Sequence, residues 1–100
     1  MGTTQRRRRV VWTRFARAQL VLATDFIALD SPIAAARLIA TAEARAESLA
    51  LLSERGRIAG ESPSGPIREI FLGRYRLIYR VADGFVFVVG FMHGARDWRP

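Results

Sequence analysis

The chain has 100 residues, half of them hydrophobic and a quarter charged, a composition typical of one folded domain rather than of a disordered segment. It contains no cysteine and a single histidine, His93, which excludes disulfide frameworks, thiolate metal sites and most zinc sites. All sixteen basic residues are arginine, and against nine acidic residues they give a formal net charge of +7. This excess favours nucleic acid or an acidic protein as a partner, and we expect no metal and no cofactor.

The N-terminal segment shows no targeting signal, because the basic run at residues 6–9 is followed by only a short apolar stretch at residues 10–12. No segment approaches the ~18 consecutive apolar residues that a membrane helix requires. We therefore expect a cytoplasmic, soluble protein without a membrane partner. Residues 1–100 are predicted to form a single domain, in which residues 1–9 are a basic arm that is either solvated or in contact with a nucleic-acid backbone.

The first half of the chain predicts a short strand at residues 10–12 and then two helices. Thr13 is a suitable N-cap for the first helix, and apolar residues follow it at helical spacing: Ala16, Leu20, Ala23 and Ile27, with Phe26 beside them. Ser31 and Pro32 begin a second helix, predicted over residues 32–53, with Gly56 as its C-terminal stop. Its inward residues are predicted to be Ala35, Leu38, Ile39, Ala42, Ala46, Leu49 and Leu52.

The second half predicts a loop at residues 60–66, rich in Gly, Ser and Pro, and then three strands at residues 67–72, 74–82 and 85–93. Asp83-Gly84 is a strong hairpin turn and Gly73-Arg74 a weaker one. The predicted fold class is α+β, with a short N-terminal strand, an antiparallel two-helix hairpin and a three-stranded antiparallel meander. The helices pack on one face of the sheet, and the first strand pairs with the meander.

The turn at Asp83-Gly84 sets the register of the last hairpin, and an unbroken count outward places Arg76 opposite Phe91 and Arg74 opposite His93. One face is then an ordinary core face, made of Tyr75, Leu77, Tyr79, Val81, Val86, Val88 and Met92. The other face mixes rings with arginines and consists of Glu69, Phe71, Arg74, Arg76, Ile78, Arg80, Phe85, Phe87, Val89, Phe91 and His93. Either arginine stems cover these rings, or a constitutive protein partner does.

Several segments, in this order and at this spacing, resemble the RelE/ParE toxin superfamily. They are residues 11–13, the helical hairpin, Arg68-Glu69-Ile70 and residues 75–81, and the ending at residues 93–97 is similar to the ParE-like branch. The resemblance implies the toxin of a bacterial type II toxin–antitoxin system, with roles in growth inhibition and plasmid stabilization. Its partner would be a ParD-like antitoxin whose disordered segment folds across it, in a hetero-oligomer for which a dimer of heterodimers is one arrangement.

The resemblance implies one of two activities. A ParE-like toxin inhibits DNA gyrase by binding it and has no catalytic residue. A RelE-like toxin cleaves messenger RNA on the ribosome, and here Arg76 and Arg96 match its pattern, with His93 as a further candidate base. The lysine positions of that pattern fall on Ile67 and Glu69, and its final tyrosine has no counterpart, so the ParE-like function is preferred. Glu69 is expected to pair with Arg76 or Arg80.

The predicted sites follow from the register and from the resemblance together. An acidic amphipathic antitoxin segment is expected to bury apolar side chains on the rings and to place its carboxylates against the guanidinium groups. The expected antitoxin-binding residues are Phe71, Arg74, Arg76, Ile78, Arg80, Phe85, Phe87 and Phe91. The expected target-binding residues are His93, Arg96, Trp98 and Arg99.

Overall fold

The computed structural model describes residues 7–94, which form one five-stranded sheet and two helices. The sheet order is β1-β5-β4-β3-β2, with β1 parallel to β5 and every other pairing antiparallel. The predicted α+β fold is therefore confirmed, with a meander of four strands rather than three. The elements are β1 (Arg9–Trp12), α1 (Arg14–Ala28), α2 (Pro32–Ser48), β2 (Arg57–Ser62), β3 (Gly65–Leu72), β4 (Tyr75–Ala82) and β5 (Phe85–His93).

Both helices begin at the predicted caps. The side-chain oxygen of Thr13 accepts a hydrogen bond from the Ala16 amide at 3.1 Å, and that of Ser31 accepts one from Ala34 at 3.1 Å. Within residues 7–94 neither helix is long and apolar enough to cross a membrane.

The second helix ends earlier than predicted, at Ser48 rather than at residue 53. Leu49 is its C-cap and is fully buried, so this residue continues the apolar pattern of the helix in sequence although the helix itself has stopped. Leu52, which was predicted to face inward, is half exposed. Gly56 was wrongly assigned as the helix stop. It is buried beside β4, where its amide donates to the Tyr79 hydroxyl at 2.9 Å.

Strand β2 was predicted in part as a loop. Its side chains are mostly exposed and its pairing with β3 contains a bulge between Ile58 and Gly60, so no apolar alternation marks it in sequence. The glycine and proline residues belong instead to the tight β2–β3 hairpin, where Gly65 adopts a φ of 120°. The meander therefore gains an edge strand.

The core lies between the helical hairpin and one face of the sheet. Helical alanines allow close approach, and the sheet contributes larger side chains, among them the fully buried Tyr79. The buried residues of this core are Ala16, Leu20, Ala42, Ala46, Leu49, Ile70, Leu72, Leu77, Tyr79, Val86, Val88 and Phe91.

A bulge in β5 changes the predicted register of the last hairpin. Near the turn the pairs are as predicted, up to Tyr79 opposite Val88. Beyond that point Ile78 pairs with Gly90, so Val89 is an extra residue and every later side chain of β5 changes face. The unbroken count was therefore wrong beyond Val88.

Three assignments are corrected by this bulge. Phe91 lies on the helix-facing side, 1% exposed, with its ring stacked on that of Tyr75 at a centroid distance of 5.3 Å. Met92, predicted in the core, pairs with Arg76 on the opposite face. His93 pairs with Tyr75 rather than with Arg74. Arg74 lies in the β3–β4 turn, where its carbonyl accepts a hydrogen bond from the Gly94 amide at 2.6 Å.

Candidate functional site

The sheet face that points away from the helices carries most of the predicted binding residues, and we call it the open face. The observed register defines it by these residues: Arg57, Ile67, Glu69, Phe71, Arg76, Ile78, Arg80, Phe85, Phe87 and Met92. Arg57, Ile67 and Met92 were not predicted there. Arg57 belongs to the unpredicted strand β2, and Met92 reaches this face only because of the bulge.

Glu69 is the centre of the open face. Its side chain is 1% exposed, and its carboxylate accepts hydrogen bonds from Arg57 and from Arg76, the latter at 2.8 Å. Arg76 was an expected partner and Arg57 was not, while Arg80 points elsewhere. The Arg76 side chain is only 12% exposed, whereas that of Arg57 is 71% exposed. The pair Glu69–Arg76 is thus a nearly desolvated ion pair with Arg57 added at its rim.

The ionisation of Glu69 reflects two opposed effects. Burial by itself raises the pKa of this carboxyl, because the charged form loses hydration. The hydrogen bonds and positive charges of Arg76 and Arg57 outweigh burial, so the pKa lies below its ordinary value of 4.5. Glu69 is therefore an anion at neutral pH and holds both guanidinium groups in place.

The remaining rings of the open face are partly covered by arginines. The Arg80 guanidinium lies over the Phe87 ring at 4.6 Å, and the Arg57 guanidinium lies over the Phe71 ring at 5.5 Å. Such cation–π contacts are worth about 0.5–1 kcal/mol at exposed sites. Phe85 stacks on Phe87 at 5.5 Å, yet Phe71 stays 47% and Phe85 39% exposed. The arginines therefore cover the phenylalanine rings of the open face only in part.

Three of the predicted antitoxin contacts change position or accessibility. Phe91 is in the core and cannot contribute to the open face. Ile78 lies on the open face but has no exposed surface, so it is not available to a partner. Arg74 is exposed at the turn beside the face rather than within it. Of the expected target-binding residues, Arg96, Trp98 and Arg99 lie outside the described residues.

Of the candidate catalytic groups, the two within residues 7–94, Arg76 and His93, do not converge. Arg76 pairs with Met92 and projects from the open face, whereas His93 pairs with Tyr75 on the other face. The His93 ring lies edge-on to the Tyr75 ring at 5.7 Å and lines a groove beside α1. The prediction that Arg76 and His93 share one face is therefore wrong.

The fold and the open face together define a small α+β protein, in which a helical hairpin covers one side of the sheet and arginines and phenylalanines occupy the other. A solved structure titled "Chromosomal ParDE TA system from P. aeruginosa" has the same fold, with a TM-score of 0.70 and 20% sequence identity. The match covers 86% of this chain and 95% of that one.

Sequence comparison assigns the family. The family described as ParE toxin of type II toxin-antitoxin system, parDE, matches residues 10–98. A relative named Toxin RelE2, from Caulobacter vibrioides, is 41% identical over 88 residues, which are 87% of this chain and 96% of that protein. The chain therefore belongs to the ParE toxin family of type II toxin–antitoxin systems.

Proposed function

We propose that this toxin acts in the ParE manner, by binding DNA gyrase without catalysing a reaction, and that a cognate antitoxin neutralises it by covering the open face. The observation that carries the proposal is the buried Glu69 carboxylate between Arg57 and Arg76. It occupies a position where the RelE-type pattern has a lysine. A phosphate bound to Arg76 would have to approach a desolvated negative charge.

Two further observations support binding over RNA cleavage. The second lysine position of that pattern is Ile67, which is 2% exposed and offers no cation. Arg76 and His93, the two described candidates for a nuclease site, project from opposite faces of the sheet. General acid–base catalysis requires its groups within hydrogen-bond reach of one substrate atom, and this arrangement separates them.

The open face supports an acidic, amphipathic antitoxin segment as the occupant. The exposed rings of Phe71 and Phe85 and the half-covered ring of Phe87 offer apolar area, and burying one such ring is worth about 1.5–3 kcal/mol. Charge pairs at the rim contribute about 0–1 kcal/mol each. The phenylalanines therefore set the affinity, while the arginines set the orientation and the association rate.

Conditional expression without the antitoxin tests the activity. Filamentation with DNA-damage signalling, together with inhibition of purified gyrase in a supercoiling assay, is the expected result. An abrupt arrest of translation with cut messages would instead establish the RelE-type ribonuclease, an activity that the name of the Caulobacter vibrioides relative suggests. Normal growth with the full-length toxin present would contradict both activities.

Titration with the co-encoded antitoxin tests the binding face. Phe87→Asp is expected to abolish binding, because it places a carboxylate among the rings and next to an acidic partner. Ala40→Asp, an exposed change on α2, is the matched control and should bind like the wild type. Circular dichroism verifies that both variants are folded. Wild-type affinity for folded Phe87→Asp would remove the open face as the antitoxin site.

A further inference from the structure

Residues 7–9 of the basic N-terminal arm are held against the folded domain, chiefly through Arg8. The Arg8 amide donates to the Ala50 carbonyl at 2.8 Å. Its half-buried side chain donates to the buried Ser53 hydroxyl at 2.8 Å and to the Ala82 carbonyl at 3.3 Å. Arg8 therefore has a structural role, because it joins the arm to the segment after α2 and to the end of β4.

The arginines on either side of Arg8 stay exposed. Arg9 begins β1, and within the part of the chain that the structure describes its guanidinium has no hydrogen-bond or ion-pair partner. The Arg7 guanidinium donates to the Glu47 carboxylate at 3.2 Å, but these side chains are 65% and 61% exposed. An ion pair this exposed is weak, so Arg7 can exchange Glu47 for another anion.

The three arginines line one cavity of about 330 Å³, together with Val10 and Glu47. We call it the arginine cavity. Glu47 is the only acidic residue among those that line it, and Val10 is the only apolar one. The surrounding sequence adds to the positive charge, because the first 24 residues contain six arginines and no acidic residue. The arginine cavity is therefore suited to an anion.

The lining favours a nucleic-acid backbone over an acidic protein segment. Protein interfaces have an apolar core, and this cavity offers only Val10 for one. Interfaces with DNA are more polar and much more positively charged, and arginine is well suited to phosphate oxygens. No aromatic residue lines the cavity, whereas proteins that bind single strands stack the bases on aromatic rings. The lining therefore fits the phosphates of a duplex, contacted without regard to base sequence.

We propose that the arginine cavity binds the phosphate backbone of duplex DNA, with Arg7 and Arg9 as the phosphate ligands and Arg8 as the residue that fixes their position. The Cα atoms of Arg7 and Arg9 are at most ~7 Å apart, and one DNA strand carries a phosphate every ~3.4 Å along the helix axis. The two guanidinium groups can therefore contact neighbouring phosphates of one strand. The inference rests on the proposed function for the source of this DNA, which is the duplex held by gyrase, but not for the binding itself.

Fluorescence anisotropy tests the binding, with the purified full-length toxin and a short labelled DNA duplex of arbitrary sequence between about 50 and 200 mM salt. Arg7→Ala and Arg9→Ala are each expected to weaken binding about tenfold at the lower salt concentration. Each should also reduce the slope of log K against log salt by about 0.9, the contribution of one phosphate contact. Arg37→Ala removes the same charge from an exposed position of α2 and should change neither quantity. Wild-type affinity and slope in either arm variant would overturn the proposal.

A gain of affinity provides the second test. Glu47→Gln removes the anion that competes for Arg7 and is expected to tighten DNA binding about threefold. Glu43→Gln is the matched control, because Glu43 lies one turn earlier on α2 and pairs with Arg17, also at 3.2 Å. This control should bind DNA like the wild type. Equal gains in the two variants would overturn the proposal, since net charge alone would then explain them.

The competing ligands are tested in the same assay. Tighter binding of a single-stranded RNA than of the duplex, through the same two arginines, would overturn the choice of duplex DNA. Loss of antitoxin binding by Arg7→Ala with unchanged DNA affinity would also overturn the proposal, because the cavity would then belong to an acidic protein. Failure of the proposed function is distinguishable, since the anisotropy assay contains no gyrase. A toxin that binds the duplex through Arg7 and Arg9 but leaves supercoiling unaffected keeps this site and refutes the gyrase activity.

Discussion

At the residue scale, the buried Glu69 carboxylate joins two arginines of the open face, Arg57 and Arg76. A nearly fully buried carboxylate gains little net stability from its ion pairs, because desolvation offsets the attraction. Removing it, however, leaves the Arg76 guanidinium buried without its counter-charge. The value of Glu69 is therefore positional: it holds Arg76 within the sheet and Arg57 over the Phe71 ring.

Replacing this carboxyl should therefore cost stability in a pH-dependent way. We expect Glu69→Gln to lower the free energy of unfolding by about 3 kcal/mol at pH 7, the cost of a broken buried pair. Because the folded pKa lies below 4.5, the contribution is complete above pH 4.5 and is lost as the pH falls through the folded pKa. Urea unfolding from pH 7 to pH 3 should show the difference from wild type shrinking. Glu61→Gln, at an exposed position of β2, is the control, and an equal loss there would contradict the assignment.

Close packing around Gly56 leaves no room for a side chain at this position. A Cβ atom at this position would lie 2.6 Å from the Tyr79 hydroxyl and 2.7 Å from the Glu69 carbonyl oxygen. Gly56→Ala should cost about 1–3 kcal/mol of stability through overpacking. Gly60→Ala meets nothing within 4 Å and should be close to neutral. Thermal unfolding of the two variants makes the comparison, and equal melting temperatures would argue against the close packing of Gly56.

At the element scale, the bulge in β5 decides which side chains enter the core. One extra residue at Val89 carries Phe91 to the helices and moves Met92 to the open face. In this position the Phe91 ring is near two other aromatic rings. It stacks on the ring of Tyr75, and its centroid lies 6.4 Å from that of Trp12. The bulge therefore ties the end of β5 to both β1 and β4.

Two of the three phenylalanines of β5, Phe91 and Phe85, should consequently respond differently to truncation. Phe91→Ala removes a side chain that is 1% exposed and should cost about 3–5 kcal/mol. Phe85→Ala removes one that is 39% exposed and should cost clearly less, with its effect seen in antitoxin affinity instead. Urea unfolding and antitoxin titration of both variants provide the test. A stability loss at Phe85→Ala as large as that at Phe91→Ala would argue against the observed register.

At the scale of the whole molecule, charge is distributed by layer. The helical hairpin is neutral, and the net charge of +7 belongs to the termini and the sheet side. Long-range attraction for an acidic partner is therefore expected on the sheet side rather than at the helices, and at physiological salt it acts within a Debye length of about 8 Å.

Salt dependence of antitoxin association should reveal this asymmetry. We expect Arg74→Ala, beside the open face, to weaken binding modestly and to reduce the dependence of the association rate on ionic strength. Arg37→Ala on α2 removes the same charge from the opposite layer and should change the rate little. Stopped-flow or surface-based kinetics between low and physiological salt measure both. Identical salt slopes for the two variants would place the antitoxin elsewhere.

Much of this architecture could be predicted from local sequence, because its causes are local. Thr13 and Ser31 cap their helices through bonds to residues three positions on. Gly84 adopts a φ of 78° in the Asp83-Gly84 turn, a conformation that glycine adopts without strain, so the turn and the register beside it follow directly. The mixed face of arginines and phenylalanines follows from that register as far as Val88.

Local sequence therefore predicted every element except β2, the helix starts, the hairpin turns beside β4 and the basic, aromatic character of one sheet face, since each depends on neighbours within a few residues. Tertiary structure alone decided the bulge at Val89, the strand β2 and the end of α2 at Ser48. It also decided that Glu69 holds Arg57. These features depend on which surfaces, distant in sequence, become buried against each other. A strand without apolar alternation and a one-residue bulge leave no local sequence pattern by which they could be predicted.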